Sequence, residues 1–245
     1  MFATVRKRVA IVTGASSGIG YAIAAKLAER SVAVVAAARG MVALEKAASH
    51  IQAKGGDVLP VPADVSRFQD FQILCEKAVQ HYGTIDILVN SAGIMPLSFL
   101  RKRRVEEWHA MIDTNIKGVT NGIAAVLPQM EKKNAGCIIN ISSTAAYEVM
   151  PGGAVYSATK YAVRAITEGL RKELEMKKSK IKTILVSPGP VDTNLTSTIQ
   201  DEEILQFMQS FPVCKIHPKQ IADTVLFLLD QPENVNISEI VIRPM

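Results

Sequence analysis

The chain has 245 residues, 48% hydrophobic and 21% charged, with 15 Gly and 11 Pro. That is the composition of an ordinary globular protein, and it excludes disorder, collagen-like repeats and a disulfide framework. The net charge of +5, from 28 basic and 23 acidic residues, is too mild and too evenly spread to point to nucleic acid or a membrane surface.

No apolar run approaches the roughly 20 residues of a membrane span. The basic residues among 1–8 are followed by no long apolar stretch or cleavage site, so a cytoplasmic protein is the expectation. Strands and helices then alternate along the whole chain. Val9–Thr13 reads as a buried strand, followed by a helix over 19–29 in which Ile23 and Leu27 share a face. Strands at 32–38, 58–61, 85–90, 137–141 and 181–186 alternate with helices at 42–53, 68–81, 108–130 and 156–177. A helix over 220–229 and a strand at Glu239–Ile242 close the pattern. Short apolar strands separated by helices predict an α/β fold. It is a single Rossmann-type, doubly wound parallel sheet of about seven strands with helices on both faces. The alternation never breaks, so residues 1–245 read as one domain. The exception is 192–218, mixed in character and following the C-terminal end of a strand, where ligands bind in open α/β sheets. A mobile substrate lid is expected there.

The three cysteines, Cys75, Cys137 and Cys214, lie far apart, outside any CxxC, and none is near a histidine at metal-ligand spacing. They read as buried small apolar side chains, and no metal is expected. The basic clusters at 6–8 and 101–104, and Lys177, Lys178 and Lys180, read as solvated faces.

The first strand runs into Thr13-Gly-Ala-Ser-Ser-Gly-Ile-Gly20 and then a helix. Glycines at 14, 18 and 20 permit a tight turn and close approach of backbone N–H groups to a pyrophosphate, and the helix N-terminus adds partial positive charge. Further along, Tyr156 and Lys160 are four residues apart on a predicted helix, so both face the same way, one turn apart. A free tyrosine has a pKa near 10; a neighbouring ammonium is expected to favour the phenolate and lower that value.

Glycines in the spacing Gly-x-x-x-Gly-x-Gly, Asp64-Val65, Asn90-Ser-Ala-Gly93, Asn115, Ser143, Tyr156-x-x-x-Lys160 and Pro188-Gly189-x-x-x-Thr193 resemble, in order and approximate spacing, the short-chain dehydrogenase/reductase family. The resemblance covers essentially the whole chain. One departure is Ser91, where the family commonly has a second Asn.

The resemblance implies an NADP(H)-dependent oxidoreductase interconverting a small aldehyde, ketone or keto acid and its alcohol. Tyr156 would be the general acid/base. Ser143 would hydrogen-bond the carbonyl oxygen, Lys160 bind the nicotinamide ribose and tune Tyr156, and Asn115 complete a proton relay through water. Gly14, Ser16, Ser17, Gly18, Ile19 and Gly20 would hold the pyrophosphate, and Asp64 and Val65 the adenine. Asn90, Ala92 and Gly93 would lie at the central portion of the cofactor, with Pro188, Gly189, Val191 and Thr193 at the carboxamide end.

The choice of NADP(H) rests on the end of the second strand. Ala38 stands where an acid would bind the ribose hydroxyls, and Arg39, next to it, suits a 2′-phosphate. Ser17 stands where some NADP(H)-preferring relatives carry a second basic residue. Ser142 rivals Ser143, but fits better as the cap of the next turn.

Expected pocket walls are 94–97, 144–153 and the lid. They offer Met95, Tyr147, Met150, Leu195, Phe207 and Met208, with Glu148 as the charged member. A homo-oligomer, tetramer or dimer, is implied by resemblance alone. The rival readings are a catalytically silent NADP(H)-sensing regulator, which would typically lack the Tyr or Lys, and a nucleotide-sugar enzyme, which would need a longer C-terminal region.

Overall fold

The runs of β-branched and small apolar residues form strands, and the stretches with helical periodicity pack over them. A computed structural model describes residues 7–210 and 214–245. Arg6 of the first basic cluster and 211–213 of the expected lid lie outside them.

The strands β1 (Val9–Thr13), β2 (Ala33–Ala38), β3 (Val58–Pro62), β4 (Ile87–Asn90), β5 (Gly136–Ile141), β6 (Ile181–Pro188) and β7 (Glu239–Ile242) form one seven-stranded sheet in the order β3-β2-β1-β4-β5-β6-β7. Every pairing in it is parallel. The helices are α1 (Gly18–Glu29), α2 (Met41–Gln52), α3 (Phe68–Tyr82), α4 (Val105–Met111), α5 (Gly118–Lys133), α6 (Ala154–Met176), α7 (Glu202–Gln209) and α8 (Pro218–Leu229).

Successive strand residues point to opposite faces, and the central strands feed two cores. Ala10, Val12, Val34 and Ala36 pack with Ile23 and Leu27 of α1, Leu44 of α2 and Ile221 of α8. Ile11, Val35 and Ala37 pack on the other face with Phe71 and Leu74 of α3, Val126 of α5 and Leu170 of α6. Each fully buried Leu, Ile or Phe contributes roughly 1.5–3 kcal/mol of transfer free energy, which is why these strands are apolar at nearly every position, with Thr13, Asn90 and Asn140 as buried polar exceptions. Pro60 and Pro62 are tolerated because β3 is an edge strand.

The long helix expected over 108–130 is in fact α4 and α5 joined by a π-helical turn at Ile112–Lys117. The expected lid is largely helical: a 3-10 turn at Asn194–Thr198 precedes α7. Its start was signalled by Asp201, whose side chain accepts a hydrogen bond from the Glu203 N–H at 3.1 Å, and by Ile204, Phe207 and Met208 at helical spacing. At α8, His217 and Gln220 form a reciprocal cap with Pro218 at the first turn.

Of the cysteines, Cys137 is buried, Cys75 half-buried and Cys214 exposed, so the expectation of three buried thiols fails at Cys214. Burial pushes the Cys75 and Cys137 thiols up to about 12, leaving them inert. No helix among the described residues is long and apolar enough to cross a membrane.

Candidate active site

The C-terminal ends of β1, β4 and β5 meet at one edge of the sheet. Thr13, the last residue of β1, ties two of them together: its hydroxyl accepts from the Ser91 and Ala92 N–H groups, both at 3.1 Å, and reaches Val89 O at 3.4 Å. The glycine loop begins at the next residue. Gly14 has φ +66°, and a Cβ there would lie 2.9 Å from Ala92 Cα, so the loop needs glycine both for its backbone and for close approach to 90–93. A Cβ on Gly20 would collide with the Gly14 carbonyl.

The first N–H groups of α1 are left open. Ser17 at the N-cap makes no side-chain capping bond, and no acid lies in the first turn. Uncompensated donors at a helix start suit an anion, so the loop fits a pyrophosphate. Thr193 stands over it: a Cβ on Gly18 would lie 3.2 Å from the Thr193 methyl. Thr193 itself caps the 3-10 turn, accepting from the Leu195 N–H at 3.3 Å. Pro188 ends β6 opposite Ile242, the Gly189 N–H donates to Ile242 O at 2.7 Å, and Val191 bridges to Ile216.

At the other end of the loop Arg39 is exposed after β2. Partial burial pulls the Asp64 carboxyl up. Hydrogen bonds from Ser66 at 2.7 and 2.9 Å, with the Arg39 and Arg67 guanidiniums nearby, nevertheless hold it below the usual carboxylate range. Arg39 and Asp64 thus occupy one neighbourhood. Val65 is buried against Gly118, and its carbonyl accepts from Asn121 at 2.9 Å. Asn90 is turned inward: it donates to Asn140 Oδ1 at 2.9 Å, and Asn140 donates to Thr167 at 2.8 Å. Its side chain braces β4 on β5.

The reacting residues converge beside this loop. Tyr156 and Lys160 sit one turn apart on α6, both buried, with the Lys160 Nζ 5.7 Å from the tyrosine ring centre. Lys160 Nζ donates to Ile141 O at 3.1 Å, which pins the lysine to the end of β5. Ser143 is close enough to Tyr156 for its hydroxyl to pull the phenol pKa down. The two serines exchange the roles expected for capping. Ser142 is buried and donates to Lys160 O at 3.2 Å, whereas Ser143 caps the following 3-10 turn, accepting from the Ala145 N–H at 3.1 Å.

Asn115 sits in the π-helical turn, a deformation common at functional sites. Its Oδ1 accepts from the Ile94 N–H at 2.9 Å, and its amide donates to Ile94 O at 2.9 Å and Thr159 Oγ1 at 3.1 Å. A Cβ on Gly93 would meet Asn115 Oδ1 at 3.3 Å and Lys160 Nζ at 3.8 Å, so the glycine keeps the space between them open.

The expected lowering of the tyrosine pKa does not hold in this cleft. Burial pushes the Tyr156 phenol up to about 12, with the Ser143 hydrogen bond pulling the other way. Burial also pushes Lys160 down to about 8. Removal from water disfavours the charged form of each, so near neutral pH the tyrosine is held as a proton donor.

Tyr156 is one edge of an apolar cluster with Leu97, Met111, Ile199 and Ile204; Met95, Phe207 and Met208 pack against it. Tyr147, expected in that wall, faces elsewhere. Its hydroxyl bonds Glu239 and lies 3.2 Å from Ser187, with the Arg164 guanidinium 4.5 Å over its ring. Met150 is exposed, and Glu148 pairs with Arg243 at 3.2 Å. The 101–104 cluster is more than a solvated face. Arg101 pairs with Glu203, and Lys102 pairs with Asp201 at 3.0 Å and Glu203 at 2.9 Å, so two of its four cations are engaged by α7 and its cap.

Sequence reasoning missed Thr13 as a brace, though its place directly before Gly14 was a usable signal, and missed Asp201, which the capping pattern would have revealed.

A family model described as short chain dehydrogenase matches residues 8–204. An uncharacterized oxidoreductase of Staphylococcus saprophyticus is 45% identical over 98% of this chain and 97% of its own. Among solved structures, the closed form of a serine dehydrogenase complexed with NADP+ superposes with a TM-score of 0.86 at 30% identity, covering 96% of this chain and 94% of that one. A short chain dehydrogenase/reductase from Burkholderia phymatum in complex with NAD superposes with a TM-score of 0.88 at 26% identity, covering 98% and 90%. With its parallel sheet, its open glycine loop and the convergence of Ser143, Tyr156 and Lys160 beside that loop, the chain belongs to the short chain dehydrogenase family of oxidoreductases.

Proposed function

We propose that the protein is an NADP(H)-dependent reductase that interconverts a small aldehyde, ketone or keto acid and its alcohol. The observation that carries this reading is the meeting of Tyr156, Ser143 and Lys160 in a buried corner next to an uncapped, acid-free helix N-terminus.

A bound nicotinamide supplies the hydride. Tyr156, kept neutral by burial, gives its proton to the carbonyl oxygen. Ser143 donates a second hydrogen bond to that oxygen and stabilises charge as it develops there. Lys160, while protonated, offers its ammonium to the ribose and to the electrostatics of Tyr156. Asn115 supports a water path behind the lysine, the space beside Gly93 accommodating it.

Gly14, Ser16, Ser17, Gly18, Ile19 and Gly20 would hold the pyrophosphate, and Asp64 and Val65 the adenine. Ala92, Gly93 and the backbone around Asn90 would line the middle of the cofactor. Pro188, Gly189, Val191 and Thr193 would hold the carboxamide. The preference for NADP(H) is supported by exposed Arg39 beside Ala38, and by the start of α2, which has neither a side-chain cap nor an acid in its first turn. The solved neighbours hold either nicotinamide cofactor, so Arg39 carries this choice. The same reading treats 192–218 as a substrate lid and the protein as a cytoplasmic homo-oligomer.

Replacing Tyr156 with Phe tests the mechanism. Turnover of a panel of carbonyl compounds, followed by nicotinamide absorbance, should fall by about 10²–10⁴-fold, the range for losing a positioned acid, while NADPH binding is unchanged. Near-normal turnover in the variant removes Tyr156 from the reaction. NADPH binding with no turnover by the parent protein on any carbonyl favours the sensing regulator instead.

A further inference from the structure

Resting on Ser143 as the second donor to the substrate oxygen, we propose that Tyr147 is a positioning residue. It clamps the turn that carries Ser143 onto the face of α6 that carries Tyr156 and Lys160. Tyr156, Lys160 and Arg164 recur at intervals of four along α6, so their side chains form one stripe. The first two are the reacting pair. The third grips the far end of the turn.

Residues 143–148 are tied into a small unit by their own hydrogen bonds. Ser143 Oγ accepts from the Ala145 N–H at 3.1 Å, and Ser143 O accepts from the Ala146 N–H at 3.0 Å. Thr144 O accepts from the Tyr147 N–H at 3.0 Å and the Glu148 N–H at 3.2 Å. Ala146, in the middle, is fully buried. A unit this short and this bonded turns as one body, so its orientation is set by where its two ends are held. At one end Ser143 is close enough to Tyr156 to act on its phenol. At the other the Arg164 guanidinium stacks 4.5 Å over the Tyr147 ring.

Stacking alone leaves a ring free to slide. The Tyr147 hydroxyl removes that freedom by donating to Glu239, and it lies 3.2 Å from Ser187 Oγ. Glu239 opens β7 and Ser187 belongs to β6, so this anchor is part of the sheet. Glu239 also pairs with Arg164 Nε at 3.3 Å, which closes a triangle of ring, carboxylate and guanidinium across three elements. Partial burial and the Glu239 bond hold the Tyr147 phenol above its ordinary value, against the pull of Ser187 and Arg164, so it stays a donor. A hydroxyl that serves a developing oxyanion must be held to a fraction of an ångström. β5 itself secures only the residue before it, the Ser142 N–H donating to Val186 O at 2.7 Å.

Tyr147→Phe keeps the ring and the stacked guanidinium and deletes only the hydroxyl, so the fold is left in place. The full chain with NADPH is assayed on 4-nitrobenzaldehyde and on diacetyl, electron-poor carbonyl compounds that accept hydride readily. In the variant kcat should fall by about tenfold, a part of the roughly 10²–10³-fold loss that removing an oxyanion donor brings. Substrate KM and the NADPH Kd should stay unchanged. In a Ser143→Ala background Tyr147→Phe should cost nothing more, because no hydroxyl is left to place. Glu239→Ala should reproduce the loss, and Glu239→Gln, which still accepts from Tyr147, should recover most of it.

Normal kcat in Tyr147→Phe overturns the proposal. An equal loss with and without the Ser143 hydroxyl gives Tyr147 a purely structural role and overturns it too. If the parent protein reduces neither probe, the reductase reading falls and the positioning role falls with it, so turnover by the parent separates the two failures.

Discussion

The site has a floor and a cover, and they are held by different forces. The floor is built from strand ends and buried amides. Thr13 bolts β1 to 91–92, Asn90 joins Asn140, Asn115 grips Ile94, and Lys160 is pinned to Ile141 O. Nearly all of these bonds have a backbone or buried amide partner, and breaking one leaves a polar group without water, a cost of about 1–3 kcal/mol.

The cover is α7 and the turn before it. Ile204 is fully buried and contributes roughly 2 kcal/mol of apolar burial. Ile199, Phe207 and Met208 add apolar contacts, and charged groups do the rest: Asp201 with Ser98 and Lys102, and Glu203 with Arg101 and Lys102. The Ser98 hydrogen bond and the Lys102 ammonium hold the Asp201 carboxyl down at about 2, so it stays ionised across the working range of pH. Floor bonds fix where atoms sit; under the proposed reading of α7 as a lid, the cover bonds would decide how readily the cleft opens.

Substitutions at the floor should therefore change what is bound or how fast it reacts, by large factors. Arg39→Asp brings the largest expected effect of those at its margin. The NADPH over NADH ratio in kcat/KM should drop by about 100-fold, on the scale of one or two lost charge-assisted hydrogen bonds at roughly 1.5–3 kcal/mol each. An unchanged ratio would place the 2′-phosphate elsewhere.

Next is the pH profile of kcat/KM for reduction. Lys160 titrates near 8 in its buried place, below the ordinary lysine value, and is protonated below that pH and neutral above it. Tyr156, near 12, keeps its proton throughout. The profile should be flat through neutrality and fall by about tenfold per pH unit above 8. A profile still flat at pH 9.5 would mean that the lysine charge is not needed.

The smallest effect belongs to the cover. Asp201→Asn removes the charge opposing Lys102 while keeping a hydrogen-bonding side chain, and should raise substrate KM by about threefold to tenfold with kcat within twofold. A large loss of kcat, measured in the same steady-state assay, would move Asp201 from cover to floor and erase the distinction.

How much of this was legible in the sequence follows the same division. The strands announced themselves because both of their faces are buried, so Val9–Val12 and Ala33–Ala38 are apolar throughout. Tyr156 and Lys160 were legible because four residues on a helix is a fixed distance.

What escaped was set by partners far along the chain. Asn90 turns inward because Asn140 lies beside it in register, 50 residues away. Tyr147 leaves the expected wall because Glu239 and Ser187 claim its hydroxyl. The tyrosine pKa was misjudged because spacing places the lysine on the same helix face and says nothing of burial, the largest influence on the phenol. Even α7 carried its own signals in Asp201, Ile204, Phe207 and Met208, hidden among the polar residues around them.

The π-helical turn at Ile112–Lys117 has a further consequence. Such a turn holds one residue more than the α-helix on either side would need, so α4 and α5 are a single rod carrying a surplus link. Removing one residue from that turn restores an unbroken rod and swings everything on one side of it by about 100° relative to the other, a residue's share of a 3.6-residue turn. Asn115 would then face away from Ile94 and Thr159. A more regular helix is one deletion away, and it comes with a disconnected site: the irregularity is the gear tooth that keeps α4 and α5 in step with the chemistry between them.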